Sequence, residues 1–458
     1  QRYTSFYKVL LSAPLHAIII LFYIFFPDFD NYNNFDNAKI IEHVGSNSVY
    51  SVVQSGSMNS MDLKVDGREI SGNNKSYKIA QRLLGNIPML LSPNPRQIFV
   101  SGFGTGEVIS SIKNYEIEHI DCAEPSDEVI YLSKYFSRIF YNVQSDEQVD
   151  IITNHSDTYL HLSNKLYDVI VINYLHPEKP GNYIYYTKEY FSDCSEHLNP
   201  EGIVALNISL KQIAFDKLQV LINTFYSVFP HTSLWFNNND YSYNVILIGT
   251  KDDGYKIDYK LMYDRLQKSN VQENLAEIRL FDIYETLDCY ICGPNSMSQL
   301  IQQRTTNRFY DPYYRLAKKT KEDEQTDITQ HIALFKKLKE PVTYLLENIE
   351  TPEEEDVVKL ILNMYYKSSR YVFDGLIFEL EQNVARALQA FRLGYQVNKL
   401  DNGAKRFIDA YYNPKLIPNP KTPQELTENA KIYYQKMEHQ KAIEVLNKAI
   451  RLDKRYAP

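Results

Sequence analysis

The feature that most constrains this chain is a series of strand-like segments between residues 97 and 249, each followed by a turn or a helix-length connection. Strands read at "QIFVS" (97–101), "EHIDCA" (118–123), "VDIIT" (149–153), "YDVIVIN" (167–173), "GIVALNI" (202–208), "TSLWF" (232–236) and "YNVILIG" (243–249). Helical stretches separate the first five, which suits parallel strands, because a parallel return needs a crossover of a dozen or more residues. The last two are joined only by "NNNDYS" and should form an antiparallel hairpin. The pattern predicts an open α/β sheet of seven strands, five parallel and then a hairpin. Ligands of such sheets sit beyond the carboxyl ends of the strands.

At that edge lies "IFVSGFGTGEV", residues 98–108, with Gly102, Gly104 and Gly106 between strand and helix. A dinucleotide fingerprint would be G-x-G-x-x-G, but its third position here is Glu107, so the loop reads G-x-G-x-G. That spacing disfavours NAD and suits a loop wrapping the amino-acid end of adenosylmethionine. Glu124 follows the second strand, where a carboxylate can accept both ribose hydroxyls; the plainer reading is a solvated loop acid. Strand, glycines and acid in register favour ligand binding. A seven-stranded sheet of this kind is typical of adenosylmethionine-dependent enzymes.

The formal net charge of −8, with no sustained basic stripe, argues against nucleic acid as a partner. Four cysteines are too few for a disulfide scaffold in 458 residues. Cys289 and Cys292 form a lone "CYIC" without partners at zinc spacing, so they read as buried thiols, and no metal is expected.

The flanks add three expectations. Residues 9–26, "VLLSAPLHAIIILFYIFF", hold no acid, Lys or Arg and predict a transmembrane helix, with a signal peptide and a buried helix as rivals. The chain opens on Gln1 rather than Met, which suits a fragment or processed form, so the side of the membrane stays open. Residues 47–70 read as two or three short strands with a turn at Asp66-Gly67. Residues 423–456 fit a 34-residue helix-turn-helix repeat of tetratricopeptide type, with Leu426, Ala430, Tyr433, Ala442, Leu446 and Ala449 in its packing slots. A weaker copy, 55 residues earlier, puts Tyr371, Gly375, Phe378, Ala387, Phe391 and Gly394 there; an unrelated helical hairpin is the alternative. The organisation expected is 1–40 membrane helix and flank, 41–80 β-element and entry helix, 81–255 Rossmann-like domain, 256–350 helical extension and 351–458 helical repeats. The address expected is the membrane, and the repeats suggest a protein partner.

Several blocks in order carry a resemblance: "LKVDGREI…SYKIAQRLLGNIPMLL", "IEHIDCAEPSDEVIYLSKYF", "YDVIVIN…P…YYTKEYFSDCSEHLNPEGIVALN" and "VFPHTSLWF…NVILIG". They resemble the spermidine/spermine synthase (polyamine aminopropyltransferase) family, and within it the bacterial membrane-fused branch. The resemblance spans roughly residues 45–250. It implies polyamine biosynthesis, a decarboxylated S-adenosylmethionine donor (or S-adenosylmethionine itself), and a small-molecule amine acceptor. Aminopropyl transfer needs a neutral amine held and deprotonated near a sulfonium carbon. The family does this with an Asp-x-x-Asp pair at the tip of the fourth strand, and here Asn173 and His176 fill those slots. The family's glycine-loop aspartate is Thr105, its adenine-binding Asp is His155, and its acidic pair is Asn73-Asn74, while Tyr77 remains. The ribose acid Glu124 and the glycines survive; the amine-activating acids do not. Three accounts follow. Asn173 and His176 do related work, His being a competent base near neutrality, with Glu178 supplying charge. Alternatively another nucleophile is used, methyl transfer included, or the domain is an inactive scaffold.

Overall fold

The computed structural model describes residues 39–45, 48–55, 60–137, 142–174, 182–211, 213–239, 242–251, 256–300, 305–310, 321–412, 416–435 and 439–453. Contacts divide the chain between Gly72 and Asn73. The first unit contains four antiparallel strands in sequence order: β1 (Lys39–Val44), β2 (Val49–Ser55), β3 (Ser60–Val65) and β4 (Arg68–Gly72). The β3–β4 turn has φ of 49° at Asp66 and 74° at Gly67, the handedness that two-residue hairpin loops need.

The second unit opens with helix α1 (Lys75–Leu91), whose first turn is capped by Asn74 accepting from the Tyr77 N–H at 3.1 Å. The predicted strands follow as β5 (Gln97–Ser101), β6 (His119–Ala123), β7 (Val149–Ile152), β8 (Tyr167–Ile172), β9 (Leu198–Ser209), β10 (His231–Phe236) and β11 (Asn244–Thr250). β5 to β9 are mutually parallel, and β10 and β11 form the antiparallel hairpin. One correction concerns strand number. Among the described residues the sheet has eight strands, in the order β12-β10-β11-β9-β8-β5-β6-β7, because "CYIC" supplies an edge strand, β12 (Tyr290–Cys292), antiparallel to β10. All four cysteines are free and buried.

The strands are apolar on both faces because both faces are covered, as parallel sheets require. On one face Val100, Val171, Ala205, Trp235 and Ile246 pack with Ile79, Leu83 and Leu84 of α1. On the other, Ile170, Ile172, Leu206 and Leu247 pack with Phe191, Phe225, Ile332 and Phe373. Each such fully buried side chain contributes about 1.5–3 kcal/mol over exposure. The second cluster therefore ties residues beyond 320 to the sheet. Among them helix Pro352–Leu380 is capped by Thr351, which accepts from the Glu354 N–H at 3.1 Å. It packs on helix Val384–Val397 through Gly375, where a Cβ would lie 2.3 Å from Phe391 Cε1. Gly375, Ala387, Phe391 and Gly394 are buried, but Tyr371 is 36% exposed. In the last helical pair, Pro423–Gln435 with His439–Leu452, Leu426, Ala430, Ala442 and Ala449 are buried while Leu446 is 37% exposed.

The membrane expectation is corrected. Among the described residues no helix is long and apolar enough to cross a membrane, and the predicted span at 9–26 lies outside them. The membrane address and the membrane as a partner, which rested on that span, go with it.

Candidate active site

The glycine loop turns sharply from β5 into the short helix α2 (Glu107–Ile112). Gly102, Gly104 and Gly106 have φ of 95°, 59° and 87°, a region in which a side chain is strained by roughly 1–2 kcal/mol. The loop is pinned on both sides: the Gly102 N–H donates to Ala123 O at 2.9 Å, and Asn173 Nδ2 donates to Gly102 O at 3.1 Å. Thr105 is buried, and its hydroxyl donates to Gln81 Oε1 of α1 at 3.1 Å. Gln81 in turn donates to the Tyr77 carbonyl at 3.3 Å, so Tyr77 sits one helical turn from the residue that holds the loop.

Sheet register aligns the chemistry. Ala123, Ser101, Ile172 and Leu206 are neighbours across β6, β5, β8 and β9. The next residues along, Glu124, Gly102, Asn173 and Asn207, therefore make one row at the carboxyl edge. Glu124 is buried, accepting from the Phe103 N–H at 3.0 Å and the Ser126 N–H at 3.2 Å. Burial pushes its carboxyl up to about 7 against those backbone donors. Two N–H groups leave lone pairs on both oxygens for further donors. Asn207 is fully buried, and among the described residues neither its Oδ1 nor its Nδ2 has a hydrogen-bond partner. A buried amide left unpaired costs about 1–3 kcal/mol, so it invites a water or a ligand.

Next to the loop lies a buried ion pair. Arg82 Nε donates to Glu107 Oε1, and Arg82 also donates to Asn274 O at 3.0 Å and lies 3.2 Å from Glu277. Glu107 is 1% exposed, its Oε2 has no partner among the described residues, and burial raises its carboxyl to about 7 even beside the guanidinium.

The structure thus brings together Gly102, Gly104, Thr105, Gly106, Glu124 and Asn173. His155 is exposed at the start of helix α3 (Ser156–Leu162), its Nδ1 3.1 Å from the Tyr185 hydroxyl. His176 and Glu178 lie outside the described residues. Two residues beyond the expected set, Gln81 and Asn207, lie beside them. Asn207 was visible as the one polar residue within "GIVALNI", and Gln81 had no signal beyond lying on α1.

Residues 77–249 match the spermine/spermidine synthase domain. The polyamine aminopropyltransferase of Lachnoclostridium phytofermentans is 26% identical over 143 residues, 31% of this chain and 50% of that protein. That of Methanocaldococcus jannaschii is 29% identical over 128 residues, 28% of this chain and 43% of that protein. The chain spans about half the length of these curated relatives. Among solved structures, a spermidine synthase in complex with the transition-state analogue AdoDATO is similar with a TM-score of 0.45 at 17% identity, covering 52% of this chain and 84% of that one. The spermidine synthase from Thermotoga maritima gives 0.44 at 17% identity, with the same coverage.

Proposed function

We propose that the synthase-like domain is an aminopropyltransferase-like transferase that takes an adenosyl sulfonium donor and a small amine acceptor. The row Glu124–Gly102–Asn173–Asn207 carries this reading, because one end suits a ribose and the other an amine. At the donor end, Glu124 has spare acceptor capacity beside bare glycine backbone, a combination suited to ribose hydroxyls. At the acceptor end, Asn207 offers an unpaired carbonyl oxygen inside the fold, and the Asn173 amide stands beside it in the row. Such neutral oxygens orient an amine without charging it, which suits a nucleophile that must be neutral to attack. In the reaction the amine nitrogen bonds to the propyl carbon, the carbon–sulfur bond breaks, methylthioadenosine leaves and the amine loses a proton. No carboxylate is available at Asn173 for that proton. His176 is the sequence's candidate to take it, a role tested by substitution.

The test is turnover by the full chain with decarboxylated adenosylmethionine and a series of diamines, read by mass spectrometry. An amine longer by one aminopropyl unit, appearing with equimolar methylthioadenosine, supports the reading. Methylated product from adenosylmethionine instead makes the domain a methyltransferase. No product from either donor removes the enzymatic reading.

A further inference from the structure

Gly102 presents bare backbone with φ of 95°, and a side chain of the same chain packs against it. A Cβ built on Gly102 would meet the Tyr174 ring at 3.2 Å (Cζ), 3.3 Å (Cε1) and 3.5 Å (Cε2). The ring therefore packs so closely on Gly102 that even a methyl group there would have to push it back by a few tenths of an ångström. A ligand layer between them would need roughly 7 Å, two van der Waals separations of about 3.5 Å.

Tyr174 does not stand alone. Its ring stacks on Tyr185, with ring centroids 4.0 Å apart and planes within 4°. Tyr185 meets Tyr190 edge-on at 5.3 Å, and the Tyr190 hydroxyl donates to Ser101 Oγ at 2.8 Å at the end of β5. The Tyr185 hydroxyl lies 3.1 Å from His155 Nδ1. The aromatic contacts thus run from the glycine loop to His155 at the start of α3. The hydroxyl at the tip of Tyr174 is the weak point of this arrangement. It is buried near Glu124, Ser156 and Tyr185 but forms no hydrogen bond of good geometry among the described residues. A buried hydroxyl left unpaired is costly, so the closed arrangement is held by ring stacking and opposed by its own polar atom.

We propose that Tyr174 is the residue that determines access of an adenosyl ligand to the glycine loop: its ring occupies the nucleoside place against Gly102 and must swing away for the ligand to bind. The proposal rests on the adenosyl-site reading above. It accounts for two features together, a glycine with φ of 95° kept bare and an aromatic ring packed on it. It also makes the two aromatic contacts of Tyr174 and Tyr185 competitors of the ligand rather than its platform.

The test compares wild type, Tyr174→Ser and Tyr174→Phe as full chains, with methylthioadenosine and adenosylmethionine as probes in calorimetry and thermal melts establishing that each is folded. Tyr174→Ser removes the ring and should bind roughly three- to tenfold more tightly, the range that one aromatic contact supplies. Tyr174→Phe keeps the ring and removes the unpaired hydroxyl, so it should close the site more firmly and bind more weakly than wild type. Equal or weaker binding by folded Tyr174→Ser overturns the proposal while leaving the adenosyl site standing. If neither probe binds any of the three folded proteins, the proposal and the adenosyl-site reading fall together.

Discussion

Glu124 offers the sharpest prediction, because its carboxylate is buried at the head of the proposed ribose site and held by two backbone N–H groups. Its carboxyl titrates near 7 rather than its ordinary 4.5. The native state therefore binds a proton that the unfolded chain has released, so stability is present below about pH 4.5 and is lost as pH rises through about 7. For those two values, linkage takes away about 2 kcal/mol between about pH 5.5 and about pH 8.5. Glu124→Gln cannot ionise and should lack this loss. It has its own cost, since both carboxylate oxygens accept backbone N–H groups and an amide offers one oxygen; the other N–H left facing it costs about 1–3 kcal/mol. The variant should thus be the less stable protein at about pH 5.5, with the gap closing by about 2 kcal/mol at about pH 8.5. Glu107 and Glu285 also titrate near 7 but are present in both proteins and cancel in the difference. Urea titrations of both proteins across that range measure it. A wild-type-minus-variant difference that does not change with pH would refute the reasoning.

Three further outcomes follow from the packing. Arg82→Met leaves Glu107 buried without its cation, which lifts its carboxyl above the wild-type value, and should cost about 3–5 kcal/mol at high pH, less as pH falls and Glu107 takes a proton, with Arg82→Met/Glu107→Gln restoring most of it; denaturant midpoints across the alkaline-to-neutral range read this. Asn207→Leu removes two unpaired amide atoms and should stabilise the ligand-free protein by about 1–3 kcal/mol, while abolishing amine binding in calorimetry. Gly375→Ala drives a methyl to within 2.3 Å of Phe391 and should destabilise by about 1–3 kcal/mol despite alanine's better helix propensity, seen as a lower melting temperature.

The sheet was legible because its evidence is local: apolar runs bounded by glycine, asparagine and proline, with connection lengths that separate parallel from antiparallel pairing. β12 escaped because three residues, Tyr290–Cys292, carry too short a pattern to read, and only the free edge of β10 makes them a strand. The glycine loop and Glu124 could be read together because strand ends fix their spacing. Asn207 became a site residue only once register placed it beside Asn173, since pattern reading counts it as one polar position in an apolar strand. Tyr174 is the opposite case. Its position next to Asn173 was visible, but its ring reaches Gly102, 72 positions earlier, and stacks on Tyr185, contacts that only the folded chain reveals. The apolar run at 9–26 shows the converse limit, for composition alone suggested a membrane address that no described helix has the length and apolarity to support.

The central claim is that the carboxyl edge of this sheet holds an adenosyl donor for aminopropyl transfer. Calorimetry of the full chain with decarboxylated adenosylmethionine, adenosylmethionine and methylthioadenosine tests it most directly, with Glu124→Gln alongside. The account predicts saturable binding that favours the decarboxylated donor over the carboxylated one and is lost in the variant. Preference for the carboxylated donor, or no binding of any of the three by folded protein, would contradict it.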